Sequence, residues 1–350
     1  MVHVFNSRNV KDMDDATKEQ ILAADVPLSV YTDCITDLGP KNRSAMGRFA
    51  NICSAIISKG LPLPPSPFIE FVVKRTTGKS RQDFTGTLDG KKGVGKSYST
   101  GYLQGRYAIE IADQWGQDPK DYFSIENCAL LEDTDGITKI LDEAEKYQAI
   151  MIDDASVALG SRDFATQKNK NLNKIMTVCR TKRWFVMQNA PMSSHIDLQE
   201  RELMDMSAHV YKSFHEAGFN LIKINSVNSV FRAGKKKVFE QRFTFYDQKI
   251  DYFCAYSPDI LDPFKGFIAK YDKQREEAAN RLISEVTGAE HERKNPVDKR
   301  AEKLREFMEK HGQTIKDMME EGKSFRAICR KTGLTDAMVN KIIPQMGLSR

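Results

Sequence analysis

The chain has 350 residues, 29% of them charged and 40% hydrophobic, with a formal net charge of +5. That length points to two domains, or to one large core with appendages, and no stretch approaches the roughly 18 consecutive apolar residues of a membrane span. Asp12, Asp14 and Asp15 stand near the start where a secretory leader would be basic and then apolar, so the expectation is a cytoplasmic protein. Six cysteines (Cys34, Cys53, Cys128, Cys179, Cys254 and Cys329) lie far apart, with no C-x-x-C pair and no histidine at ligand spacing. They read as free, buried thiols of a reducing compartment, and no zinc site can be assembled from them. The six histidines are scattered and read as structural or surface residues.

Residues 1–66 read as an N-terminal extension, with a helix around Met46 to Lys59. Leu61 to Pro67 then holds Pro62, Pro64, Pro65 and Pro67, which excludes a helix and predicts an extended connector. The composition of Phe68 to Lys74 predicts a strand. After a polar stretch, Phe84 to Leu88 predicts a short strand and Tyr98 to Ala112 a helix.

Between that strand and that helix, Gly90-Lys91-Lys92-Gly93-Val94-Gly95-Lys96-Ser97 fills every fixed position of the phosphate-loop pattern G-x-x-x-x-G-K-[ST]. Glycines let the backbone wrap an anion, and the following helix presents its positive N-terminus to it. ATP is therefore the expected ligand, bound by Gly90 through Tyr98. Lys96 neutralises the β- and γ-phosphates and Ser97 holds Mg²⁺ through its hydroxyl.

Downstream, Tyr122 to Leu130 predicts a strand, Ile137 to Ala144 a helix, and Gln148 to Asp154 a buried strand ending in two acids. Lys170 to Arg180 reads as a helix and Trp184 to Gln188 as another core strand. This alternation predicts a parallel α/β sheet. One strand intervenes between the loop and the acidic strand, which fits a RecA-like P-loop NTPase core. Asn220 to Phe245 alternates apolar and polar residues around Ala233-Gly234-Lys235 and predicts a β-hairpin appendage. Lys273 to Lys310 is dense in charge and predicts solvated helix or linker. The predicted domains are an extension (1–66), the ATPase core (67–265), a charged helical linker (266–311) and a small all-α helix-turn-helix (312–350).

Asp153, at the end of an apolar strand, suits a magnesium ligand acting with Ser97. Asp154 follows, where a hydrolytic motor usually carries glutamate; the shorter acid can serve as base or mark a slow, switch-like enzyme. Gln188, at the end of the next strand, is a candidate for sensing the γ-phosphate or positioning water. An arginine is needed for charge on the transferring group, often from a neighbouring subunit. The candidates are Arg201, then Arg180, then Arg162, with Arg183 behind them.

Residues 322–350 carry six basic residues and one acid, Asp336, so the whole net charge of the chain sits at this end. Thr314 to Glu321, Gly322 to Cys329, Lys331 to Thr335 and Ala337 to Ile343 together read as a small helix-turn-helix with Ile315, Met318, Phe325, Ile328, Leu334, Val339 and Ile342 as its core. Gly333 stands at the turn, and Thr335 can cap the last helix. In that geometry the helix from Asp336 enters the major groove of double-stranded DNA, with Asn340 and Lys341 near bases and Lys323, Arg326, Arg330 and Lys331 near phosphates. The alternative is a protein-interaction module with a basic solvated face.

Lys96-Ser97-Tyr98-Ser99, Asp153-Asp154, Ser161-Arg162-Asp163, Asn171 to Lys174, Cys179-Arg180 and Ile196 to Arg201 together resemble the ATPases of archaeal and bacterial mobile elements. These belong to the FtsK/HerA-like motor class, to which the Zot-like phage-assembly ATPases are related. The resemblance spans about residues 68–255. It implies homo-oligomeric rings with ATP and Mg²⁺ between subunits, and ATP-driven movement of mobile-element DNA or phage assembly. Two other readings stay open. One is an ATP-switched DNA-binding regulator or partition protein, since Lys91 stands where ParA-like loops carry an extra lysine, although Lys92 replaces the glycine expected next. The other is a virion-assembly ATPase with a protein-binding tail.

Overall fold

The computed structural model describes residues 13–26, 28, 31–36, 43–79, 82–131, 134–154, 181–192, 198–232, 235–245, 248–294 and 296–345. The predicted helix Lys170 to Arg180, with Arg162 and Arg180 themselves, lies outside them. The chain divides into two compact units, Met1–Ala279 and Asn280–Arg350. Among the described residues, no helix is long and apolar enough to cross a membrane.

The first unit is built on a ten-stranded mixed sheet. Its parallel half runs in the order β6 (Met206–Phe214), β2 (Phe84–Asp89), β5 (Phe185–Ala190), β4 (Ala149–Asp153) and β3 (Cys128–Leu130). β5 follows β4 in the chain yet lies between β4 and β2, so the loop strand and the acidic strand are separated by one strand. The antiparallel half continues from β6 through β7 (Phe219–Arg232) and β10 (Gln248–Tyr256) to β1 (Cys34–Thr36) at the edge. β8 (Lys235–Arg242) pairs with β7, and β9 (Thr244–Phe245) with β10.

One face of the sheet is covered by the long helix α4 (Lys96–Trp115), whose Tyr102, Leu103, Tyr107, Ala108 and Ile111 are buried. Period-two alternation sends Phe185 and Met187 of β5, and Ala149 and Met151 of β4, into this core. Val186, Ile150 and Ile152 go to the opposite face, under α5 (Thr134–Glu143). That alternation later decides which polar strand-end residues reach the site.

Three expectations are corrected here. Phe68 to Lys74 is not a strand but part of helix α3 (Pro67–Thr77). Ser66 caps it, accepting a hydrogen bond from the Ile69 N–H at 3.4 Å, and Pro67 sits at the first helical position, where its missing N–H costs nothing. The cap and the burial of Phe68, Ile69, Val72, Val73 and Thr76 on one face override the β-rich composition. Phe68 packs edge-on against Phe84, Phe243 and Phe253 at 5.6–6.0 Å. Secondly, the strand expected over Tyr122 to Leu130 is confined to Cys128–Leu130.

Thirdly, Asn220 to Phe245 does not stand apart from the sheet. The first half of β7 pairs with β6 and β10, and Leu221, Ile222 and Ile224 are buried, too many for a one-faced hairpin. Only Asn225–Arg232 runs out to pair with β8. The region expected as an N-terminal extension also supplies core: Ile21 of α1 (Asp15–Ala23), Cys34 and Ile35 of β1, and Phe49, Cys53 and Ile56 of α2 (Arg43–Ser58) are buried with the sheet. Of the described cysteines, Cys34, Cys53, Cys128 and Cys254 are free and buried, and Cys329 is half-buried.

The segment after β10 is held on α4 by small residues. A Cβ at Gly105 would lie 2.8 Å from Leu261 Cδ1, and one at Gly101 would lie 3.2 Å from Pro258 Cγ. This close approach starts helix α7 (Phe267–Lys294) beside the N-terminal end of α4 and buries Phe267 and Tyr271.

The second unit holds α8 (Pro296–Glu320), α9 (Phe325–Thr332) and α10 (Asp336–Gln345). Ile315, Ile328, Leu334, Val339, Ile342 and Ile343 form its core. Gly333 ends α9 in the left-handed region at φ 70°, a conformation glycine adopts without strain.

Candidate functional site: a phosphate loop facing a buried aspartate

The loop from Gly90 to Gly95 leaves β2 and opens α4. Gly95 takes φ 82° in the left-handed region, and a Cβ there would lie 2.9 Å from Asn220 Nδ2. Glycine is thus required twice over at this position, by backbone and by space. No side chain caps α4, so its first N–H groups remain turned to the loop, where an anion can take them. Asn220 ties the turn from β7, donating to Gly95 O at 3.2 Å and to Ser99 Oγ at 2.7 Å.

Lys96 Nζ donates to the carbonyl oxygens of Gly90 (2.9 Å) and Lys91 (3.0 Å), which folds the lysine back across the loop. Partial burial lowers its pKa from the ordinary value, while the nearby Asp153 and Asp154 charges oppose that shift.

Opposite the loop stands Asp153, only 4% exposed. Ser97 Oγ donates to Oδ1 at 2.7 Å, and Asn189 Nδ2 reaches the same oxygen at 3.1 Å. Tyr271 OH donates to Oδ2 at 2.6 Å, and Arg275 Nε lies 3.3 Å from it. Burial, and then the Asp153 charge, drive the Tyr271 phenol far above its ordinary pKa, so it is a donor at any working pH. Thr100 Oγ1 donates to Asn189 Oδ1 at 2.7 Å, so α4, β5 and β4 are linked by one polar chain.

These groups surround a cavity of about 460 Å³ at the carboxyl end of the parallel strands, the usual place for a ligand in an open α/β sheet. Its wall includes Lys92, Gly93, Gly95, Lys96, Ser97 and Tyr98 from the loop and α4, and Asp153 and Asp154 from β4. Asp154 has φ 53°, a left-handed backbone that turns the chain sharply after β4. Lys91 is exposed, and Val94 packs partly on the core.

The site fits a magnesium nucleotide on its own chemistry. A hydroxyl and a carboxylate in contact beside a lysine are oxygen ligands of the kind Mg²⁺ takes, with waters and substrate phosphates completing the shell. Among the described residues no group of three or more His, Cys, Asp or Glu side chains is arranged to hold an ion, and the Mg²⁺ of a nucleotide would meet one carboxylate and one hydroxyl here. Ser97 and Asp153 would hold it.

Not every residue singled out from the sequence belongs to this wall. Gln188 shares its face of β5 with Val186, away from α4 and the loop, and its buried amide takes no hydrogen bond among the described residues. The residue that reaches the cavity is its neighbour Asn189. Arg183 lies before β5, at the far end of the strands, where Nη1 donates to Tyr147 OH at 3.0 Å and Thr76 O at 3.4 Å; it is a structural cation. Arg201 lies on α6 (Leu198–Leu203), outside the cavity wall. In the second unit, Lys323, Arg326, Arg330, Lys331, Asn340 and Lys341 are all exposed.

Asn220, Tyr271 and Arg275 carry no signal in the sequence. Period-two reading from Asp153 across the parallel register would have found Asn189, since Asp153 and Asn189 point to the same face of neighbouring strands.

No protein-family model matches the chain, and neither does any curated protein. Among solved structures, the chain is similar to the N-terminal domain of zonular occludens toxin from Neisseria meningitidis, at 12% identity and a TM-score of 0.26 over 48% of this chain and 99% of that one. It is also similar to the genome packaging NTPase from Sulfolobus turreted icosahedral virus 2 in complex with ATP-gammaS, at 12% identity and a TM-score of 0.28 over 45% and 98%. A third likeness is to ATPases 2 and 3 of EssC from Geobacillus thermodenitrificans, at 9% identity and a TM-score of 0.22 over 60% and 42%.

Proposed function

We propose that this chain is an ATP-hydrolysing motor of a mobile genetic element, with a RecA-like core in its first unit and a DNA-binding module in its second. The observation that carries the nucleotide reading is the Ser97 Oγ to Asp153 Oδ1 contact of 2.7 Å beside the Lys96 loop. It brings together the start of α4, which follows β2, and the end of β4, on either side of β5 at the carboxyl end of the parallel sheet. Ser97 and Asp153 would hold Mg²⁺, which would supply positive charge beside the nucleotide phosphates.

The chain's own groups set the rest. Lys96 holds the phosphates by charge, and the uncapped N-terminus of α4 gives backbone N–H donors. Asn189 fixes the Asp153 carboxylate from the side, so that it keeps one orientation through turnover. Asp154, in the wall of the same cavity, is the group to accept a proton from attacking water. A guanidinium supplied in trans, from Arg201 or from Arg180, would meet the transition-state charge in a homo-oligomer.

The exposed basic residues of α9 and α10, in a net-positive segment with Gly333 at its turn, support contact with double-stranded DNA through phosphates. ATP turnover with duplexes of increasing length tests the motor. Stimulation that grows with length supports translocation. Binding that needs only ATP occupancy, with turnover on the order of one per minute against an enzyme median near 10 s⁻¹, supports the ATP-switched regulator instead.

A further inference from the structure

The cavity contains one arginine from its own chain that the loop motif does not account for. Arg275, on the third turn of α7, places Nε 3.3 Å from Asp153 Oδ2, while its side chain is 46% exposed. Among the described residues its two Nη atoms take no hydrogen bond, so a planar fork of donors faces the cavity with one partner only. Asp153 accepts three hydrogen bonds, from Ser97 and Asn189 on Oδ1 and from Tyr271 on Oδ2, and the Arg275 charge takes the remaining side of Oδ2 as an ion pair at 3.3 Å. A carboxylate offers about four acceptor positions. A divalent cation drawn to Ser97 and Asp153 would therefore lie within a few ångströms of the Arg275 charge, and like charges at that range in a half-buried cavity repel strongly. The polyphosphate arriving with the ion is the largest anion within reach of that fork, and guanidinium matches phosphate geometry better than any other side chain.

We propose that Arg275 is a phosphate ligand supplied in cis: it neutralises Asp153 in the arrangement seen here, and exchanges that carboxylate for the nucleotide phosphates when the magnesium complex binds. The proposal rests on the nucleotide reading above. Tyr271, which stays on Oδ2 and stacks on Phe267, itself packed against Gly101, holds α7 in place while the arginine swings.

Equilibrium binding of Mg-ATPγS and of AMP to the full chain tests it, for wild type, Arg275→Gln, Arg275→Lys and Lys96→Ala. The expected result is a loss of roughly tenfold in Mg-ATPγS affinity for Arg275→Gln, the size of one charge-assisted phosphate contact, with partial recovery in Arg275→Lys. AMP affinity stays unchanged, which separates a lost phosphate contact from general damage to the fold, since damage lowers both. Mg-ATPγS affinity within twofold of wild type in Arg275→Gln, alongside lost binding in Lys96→Ala, would overturn the role of Arg275 and leave the nucleotide site standing. An equal loss for both ligands would also overturn it. Full Mg-ATPγS binding by Lys96→Ala would remove the nucleotide reading itself.

Discussion

Ser97 and Asp153 are in direct contact, hydroxyl to carboxylate at 2.7 Å, although 55 residues of chain lie between them and one strand, β5, stands between the strands that lead to them. The contact exists because β5 inserts between β2 and β4 and sets both strand ends level with the start of α4.

Asn189 contacts one of that pair, Asp153. Its amide accepts from the buried Thr100 and donates to Asp153, so Asn189→Ala strands one hydroxyl and releases one carboxylate. An unsatisfied buried hydroxyl costs about 1–3 kcal/mol. The expected outcome is a lower Tm together with a kcat reduced by about 10–100-fold, the usual cost of removing such a supporting partner, while nucleotide affinity changes little. Steady-state kinetics and thermal melts check this; unchanged kcat would show that Asp153 is oriented without it.

Gln188 gives the contrasting expectation. It lies on the other face of β5, buried and without a hydrogen-bond partner among the described residues. Gln188→Met, which removes the buried amide at similar volume, should keep ATP turnover and leave the protein at least as stable. A collapse of turnover with binding intact would return Gln188 to the water-positioning role that its place at a strand end first suggested.

These two neighbours show what was legible in the sequence and what was not. The phosphate loop and Asp153 could be read because each is a contiguous pattern whose chemistry needs neighbouring residues. Asn189, Tyr271 and Arg275 reach the site through strand register and through the docking of the segment from Pro258 to Phe267 on Gly101 and Gly105, and those are long-range packing relations. The α/β alternation was legible for β2, β4, β5 and α4. Phe68 to Lys74 was misread because β-branched and aromatic residues suit a strand, while the decision lay in one serine cap and one proline upstream. The sheet role of β1 and of early β7 was hidden because edge strands and long strands leave no separate signature.

Asp33 makes a pH prediction. It is fully buried beside Cys34, whose thiol donates to Oδ1 at 3.1 Å, and burial pushes its carboxyl up to about 7. The folded state therefore holds a proton that the unfolded chain releases near pH 4, and stability from this group falls as pH rises between about 4 and 7. Asp33→Asn removes that slope: it should raise Tm relative to wild type above about pH 7 and give no such gain near pH 4. Melts across that range check the sign, and a variant that loses most at alkaline pH would refute it.

In the second unit, Arg330 and Lys331 close α9 on the exposed surface. If they meet phosphates, Arg330→Gln and Lys331→Gln should each weaken duplex binding regardless of sequence and reduce the slope of log affinity against log salt by about 1. Fluorescence anisotropy over a salt series measures both. Unaltered slopes in both variants would favour a protein partner for this unit.

The proposed role of the Lys96 loop and Asp153 is to bind and hydrolyse ATP with magnesium. Phosphate release by wild type, Lys96→Ala and Asp153→Asn measures it most directly. Mg²⁺-dependent turnover is expected of wild type, and a loss of at least about 100-fold of each variant, since each removes a charged group that the transition state needs. Full turnover by Lys96→Ala or by Asp153→Asn would contradict that role.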